Sequence, residues 1–189
     1  MIKGYLGVDV GSVSTNLVVI DDQDQLLVEQ YLRTNGKPIQ TVQEGLHAIG
    51  QELPADVEIA GAATSGSARY LTSLIVGADI VKNEITAHAI ASSALAEDVK
   101  TIIEIGGQDS KIIILREGVV TDFAMNTVCA AGTGSFLDQQ ASRLLISIEE
   151  FGNYALKAKN PVRIAGRCAV FAESDMVHKQ QLGYNTEDI

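Results

Sequence analysis

The sequence predicts an α/β chain built from a duplicated unit, and three observations predict it. A run of strand, polar glycine turn, strand, turn and strand occurs at the start of the chain and again near its middle. Segments with apolar residues at helical spacing follow each run, and the first turn of each run is rich in glycine with hydroxyl or acidic neighbours. The two halves are placed at residues 1–99 and 100–189, the second one incomplete because nothing after Leu182 returns to a sheet.

The elements follow in order. Tyr5 to Val10, Leu17 to Ile20 and Leu26 to Leu32 are apolar runs, the last two separated by the acidic turn Asp21 to Asp24. Pro38 opens a helix carrying Val42, Leu46, Ile49 and Leu53, and Pro54 stops it. Val57 to Ala63 reads as a buried strand, and Thr64-Ser-Gly-Ser67 leads into a helix with Tyr70, Leu71, Leu74 and Ile75. A short strand at Ile80 and Val81 precedes a small-residue helix from Glu84 to Leu95, with Asn83 as its cap. The pattern then restarts with strands Lys100 to Ile105, Lys111 to Leu115 and Val119 to Met125. Helices follow from Ser135 to Leu145, from a capping box at Ser147 and Glu150 to about Lys157, and from Cys168 to about Gln181.

Composition narrows the function classes. A 46% hydrophobic share in 189 residues is that of a globular chain able to bury a core. The net charge of −10, with 14 scattered Lys and Arg, argues against a nucleic-acid or anionic-membrane surface. No run approaches the roughly 18 apolar residues of a membrane helix and no secretory signal is evident, so the chain reads as cytoplasmic.

Two stretches have the chemistry of phosphate binding. Gly7-Val-Asp-Val-Gly-Ser-Val-Ser-Thr15 ends a strand on a carboxylate, Asp9, and continues into small hydroxyl residues. Glycine lets backbone N–H groups approach a phosphate, the hydroxyls donate, and a carboxylate holds magnesium. Glu104-Ile-Gly-Gly-Gln-Asp-Ser-Lys111 repeats the design, and two such hairpins would clamp one triphosphate between the halves. Neither is a P-loop, and Gly132-Thr-Gly134 lacks the third glycine of a dinucleotide fingerprint because Leu137 stands there.

The only two cysteines both stand before helical runs, Cys129 in Asn126-Thr-Val-Cys-Ala-Ala-Gly-Thr-Gly134 and Cys168 in Gly166-Arg-Cys-Ala-Val-Phe171. A helix start favours thiolate and so suits a metal or cluster ligand. One chain supplies two thiolates where a [4Fe–4S] cluster or an all-cysteine zinc site takes four, so a two-fold dimer would supply the rest.

These motifs, in this order and over essentially the whole chain, resemble the activator ATPases of 2-hydroxyacyl-CoA dehydratases, a family that includes the ATPase subunits of benzoyl-CoA reductase. The resemblance implies a ribonuclease H-like fold of the actin, heat-shock-chaperone and sugar-kinase type. It implies a homodimer with one [4Fe–4S] cluster held by Cys129 and Cys168 of each chain. ATP binding and hydrolysis to ADP, with Mg2+, would drive an electron from a flavodoxin or ferredoxin to an acyl-CoA dehydratase or reductase component. Carried over residue by residue, Gly11, Ser12, Ser14, Thr15, Gly106, Gly107, Lys111, Gly132 and Gly134 would contact the nucleotide. Gln108 would orient the attacking water, and Asp109 or Asp9 would hold magnesium. Family members continue with further strands and a glycine-rich adenosine-binding segment, so the chain reads as part of a longer protein with poor ATPase activity by itself.

Two other readings follow from the same residues. One is a kinase-like phosphotransferase of the same superfamily, which gives the cysteines no role. The other is a nucleotide-gated interaction module whose cysteines are only packed, and zinc remains an alternative to iron. His47, His88 and His178 read as solvated or satisfied helical histidines, and Phe171, Met176 and Val177 as core or interface positions.

Overall fold

A computed structural model describes residues 1–126 and 133–189. Its first sheet has the order β3-β2-β1-β4-β5, formed by β1 (Ile2–Val10), β2 (Ser14–Ile20), β3 (Leu26–Arg33), β4 (Val57–Ser65) and β5 (Ile80–Val81). β1 is antiparallel to β2 and parallel to β4, and β2 is antiparallel to β3. The strands alternate as a half-buried sheet requires. Leu6, Val8 and Val10 of β1 and Leu17 and Val19 of β2 point to one face, where they meet Val28 and the Val42 and Ile49 side chains of α1 (Pro38–Glu52). Helix α2 (Arg69–Val76) adds Ile75 and Val76 to this core. The acidic turn is a turn for the reason its residues suggest: Asp21 Oδ1 accepts the N–H groups of Gln23 and Gln25, and Asp24 sits at φ 59°.

Helix α3 (Glu84–Leu95) begins at Asn83, whose side chain accepts the Thr86 N–H at 2.9 Å. A second sheet of order β6-β7-β8 then forms from Thr101–Ile105, Ser110–Arg116 and Val119–Met125. Glu117 and Gly118, both at positive φ, make the tight turn that joins β7 to β8. Ile113 and Leu115 of β7 pack with Ala89 of α3. The chain continues into α4 (Gly134–Arg143), α5 (Ile148–Lys157) and α6 (Ala169–Gln181), and Phe136, Ala172 and Met176 form a small core of their own. By contacts the chain divides into two compact units, one of residues 1–102 with 113–122 and one of 103–112 with 123–189.

Two expectations change. β4 is largely exposed through Glu58, Ile59 and Ala60, because its outer neighbour β5 pairs only with Ala63 and Thr64. Ser147 is the N-cap of α5, but its side chain makes no capping bond; the turn is closed by Glu150 N–H donating to the Ser147 carbonyl at 3.1 Å. Of the positions read as core or interface, Met176 is buried at 3% exposure and Phe171 stands 65% exposed.

Two glycines of one helix separate packing from propensity. A Cβ on Gly45 would collide with the fully buried Leu17 side chain, and one on Gly50 would meet nothing within 4 Å. Gly45→Ala should therefore destabilise the chain by about 1–3 kcal/mol through overpacking, although alanine is the better helix former. Gly50→Ala should stabilise it by about 0.5–1 kcal/mol. Urea denaturation of both variants checks the opposite signs.

Candidate functional site

Both glycine hairpins are four-residue turns closed by the same hydrogen bond. Gly11 N–H donates to the Ser14 carbonyl at 2.9 Å, and Gly106 N–H donates to the Asp109 carbonyl at 2.9 Å. In each, the carbonyls of the turn are tied back from one side. In the first hairpin Thr34 does this: its N–H donates to the Val13 carbonyl at 2.9 Å and its hydroxyl to the Gly11 carbonyl at 3.1 Å. In the second, the start of α4 does it, Gly134 N–H donating to the Gly106 carbonyl at 2.8 Å and Ser135 N–H to the Gly107 carbonyl at 3.0 Å. A planar trans peptide points its carbonyl and the next N–H in opposite directions, and no described peptide is cis. The Ser12 and Ser14 amides therefore face away from Thr34, and the Gly107 and Gln108 amides face away from α4. Convergent backbone amides in a glycine turn are the raw material of an anion site.

Around this frame the expected residues fall into different places. Ser12 and Gln108 are exposed at the tips, and Gly11, Ser14, Gly106, Gly107 and Asp109 are half-buried. Thr15 is fully buried, and its hydroxyl lies 2.9 Å from that of Thr34. Since Thr34 gives its single proton to Gly11, Thr15 is the donor of that bond and its proton is engaged inside the unit. Gly134 is placed by packing, because a Cβ there would stand 3.2 Å from the Gly106 oxygen. Lys111 is buried, and its ammonium donates to Glu104 Oε2 at 3.0 Å and Asp109 Oδ1 at 2.7 Å. Gly132 and Cys129 lie outside the described residues.

Asp9 stands in a polar row across the first sheet. Register pairs it with Asn16 of β2 and with Ser65 of β4, and Asn16 Nδ2 donates to Asp9 Oδ2 at 3.4 Å. Burial raises the Asp9 pKa above its ordinary 3.8. The Asn16 hydrogen bond opposes this, Glu84 of α3 adds to it and His88 offsets part. The Ser65 hydroxyl also draws the value down slightly, yet it stands outside hydrogen-bonding geometry and its buried oxygen has no partner. Asn16, Glu84 and His88 were not among the residues expected from sequence. Asn16 could have been found by counting outward from the Gly11–Ser14 turn, which pairs it with Asp9; the two α3 residues are brought near only by tertiary packing.

Cys168 is the N-cap of α6, half-exposed and free, its carbonyl accepting the Ala172 N–H at 2.9 Å. The loop before it is anchored to the helix by Asp175, which accepts the Ala165 N–H at 2.9 Å, and Arg143 of α4 pairs with Glu173 of α6. Among the described residues no three His, Cys, Asp or Glu side chains gather as a metal site.

Residues 6–189 match the family described as the BadF/BadG/BcrA/BcrD ATPase family. The chain belongs to this family. It is 33% identical over 190 residues to the (R)-2-hydroxyglutaryl-CoA dehydratase activating ATPase of Acidaminococcus fermentans, covering 97% of this chain and 70% of that one. It is 31% identical to the 2-hydroxyisocaproyl-CoA dehydratase activator of Clostridioides difficile, covering 97% of this chain and 68% of the relative. A solved structure of the Clostridium difficile 2-hydroxyisocaproyl-CoA dehydratase activator with bound ADPNP superposes with a TM-score of 0.85 at 30% identity, over 98% of this chain and 69% of that one. The fold is thus the actin-like ATPase type expected from the sequence, and the ethanolamine utilization protein EutJ of Carboxydothermus hydrogenoformans, at 19% identity and TM-score 0.54, shares it.

The Asp9 environment gives a signed pH prediction. A folded pKa raised above 3.8 means the folded state holds the proton more tightly than the unfolded one. That contribution is present below pH 3.8 and is lost as pH rises through the folded value. Asp9→Asn should therefore raise stability at pH 7, with the gain shrinking to nothing as pH falls below 3.8. Denaturant midpoints of both proteins across that range measure it.

Proposed function

We propose that this chain is the nucleotide-binding part of an ATP-dependent activator that passes an electron to an acyl-CoA dehydratase or a benzoyl-CoA-reductase-type enzyme. The observation that carries the nucleotide half of the reading is that in each hairpin two tied-back carbonyls turn two amides to the opposite side. The relative with bound ADPNP supports taking the phosphates of ATP or ADP as the anion. Ser12 and Ser14 add hydroxyl donors, and exposed Gln108 at the tip of the second turn orients the attacking water. Asp9 beside the first hairpin, and Glu104 and Asp109 beside the second, are carboxylates of the kind Mg2+ takes. Magnesium is commonly held by one or two carboxylates plus substrate phosphates and water, so the residues at either hairpin fit it without a larger protein cage.

The electron-transfer half rests on the cysteines. Cys168, free and half-exposed at a helix start, suits a thiolate ligand, and with Cys129 it would hold one half of a [4Fe–4S] cluster shared by two chains. Such a cluster supplies one-electron chemistry when bound. The chain's own residues then have three tasks. Asp175 holds the loop that ends at Cys168, Arg143 and Glu173 fix α4 against α6, and exposed Val170 and Phe171 give the apolar flank of a dimer face that keeps water from the thiols. A flavodoxin or ferredoxin is the donor in this reading, and cytoplasmic placement follows from it.

Anaerobic reconstitution with iron and sulfide tests the proposal. The expected product is a dimer with about four irons, and Cys168→Ser should abolish the iron without unfolding the chain. A colourless protein that takes up no iron, with Cys168→Ser indistinguishable from it, would sink the electron-transfer half.

A further inference from the structure

Lys111 occupies a position that its strand would ordinarily give to an apolar residue. Lys111, Ile113 and Leu115 alternate along β7 on its buried face, at 5%, 0% and 2% exposure. Burying an ammonium is costly unless it is paired, and here it meets two carboxylates at once. Its Nζ reaches Glu104 Oε2 at 3.0 Å and Asp109 Oδ1 at 2.7 Å, with only 4% of the lysine side chain exposed. The same two carboxylates converge over Gly106. A Cβ on that residue would lie 2.9 Å from Glu104 Oε1 and 3.0 Å from Asp109 Oδ1, so both carboxylates can approach the backbone there because the position is glycine.

The geometry points to Lys111 as a positioning residue rather than a phosphate ligand: it clamps Glu104 and Asp109 so that they stay convergent over Gly106 for the divalent cation that accompanies the nucleotide. The inference rests on the nucleotide reading above. Two of the three ammonium donors go to carboxylates, and drawing the ammonium toward a phosphate would leave those carboxylates facing one another without their counter-charge. A single buried ion pair would need neither the second carboxylate nor the glycine. One ammonium against two carboxylates gives these three groups a formal charge of −1, which complements a cation.

The test compares ATP binding in EDTA with ATP binding in Mn2+, for the wild-type chain, Lys111→Met and Lys111→Gln. Lys111→Gln keeps a polar donor on the buried strand face and carries the comparison if Lys111→Met does not fold. Both variants should keep metal-free ATP affinity within about threefold, while the Mn2+ concentration needed for tight binding rises at least about tenfold, as when a residue that orients a metal ligand is lost. Loss of metal-free affinity by the same factor as metal-dependent affinity would show that Lys111 contacts phosphate and would overturn the proposal, and so would an unchanged Mn2+ requirement. A wild-type chain that binds ATP in neither medium would instead bring down the nucleotide reading itself, and this inference with it.

Discussion

A planar peptide can show its carbonyl to one side only by showing the next amide to the other, and each candidate phosphate hairpin depends on that constraint. In the first hairpin the restraint comes from Thr34, the residue after β3, which takes the Gly11 and Val13 carbonyls. In the second it comes from the first residues of α4, which take the Gly106 and Gly107 carbonyls. Different elements thus do the same work in the two units. What the two turns share is the orientation of two amides each, those of Ser12 and Ser14 in one and of Gly107 and Gln108 in the other.

The polar groups kept near these turns are ones a stability argument would remove. Asp9 is a partly buried carboxylate whose own neighbours, Asn16 and His88, only partly offset the cost of its burial. Lys111 sits on a strand face otherwise given to Ile113 and Leu115. The apolar core around Leu6, Val8, Val10, Leu17 and Val42 surrounds the strands that carry Asp9. The glycines follow the same logic. Gly66, at φ 85°, lets the loop before α2 approach the end of β1 so closely that a Cβ would collide with the Val10 backbone, which anchors that loop beside the first hairpin.

Most of the secondary structure was legible in the sequence because its signals are local. Short apolar runs marked β1 and β2, Pro38 and Pro54 bracketed α1, and Asn83 capped α3 through its own side chain. Exposure was less legible. The run Val57 to Ala63 has the composition of a buried strand, yet the shortness of β5 leaves half of it open. At Ser147 the capping-box spacing is present, but the side-chain bond is not made. Within the site, the hairpins and their carboxylates could be read directly, and Asn16 was within reach of a register count. Glu84 and His88 were not, since nothing near them in sequence ties them to Asp9.

The sequence by itself determined where the turns fall, which residue types line them, and the family to which the chain belongs, because glycine, hydroxyl and cysteine chemistry at fixed spacing is a property of the linear order. The tertiary structure alone decided which of those residues face outward. Thr15 and Lys111 sit in motifs that look like phosphate binders, and folding brings the Thr15 hydroxyl beside Thr34 and the Lys111 ammonium beside Glu104 and Asp109. A hydrogen-bond donor has a fixed number of protons, and only folding settles which acceptor receives them.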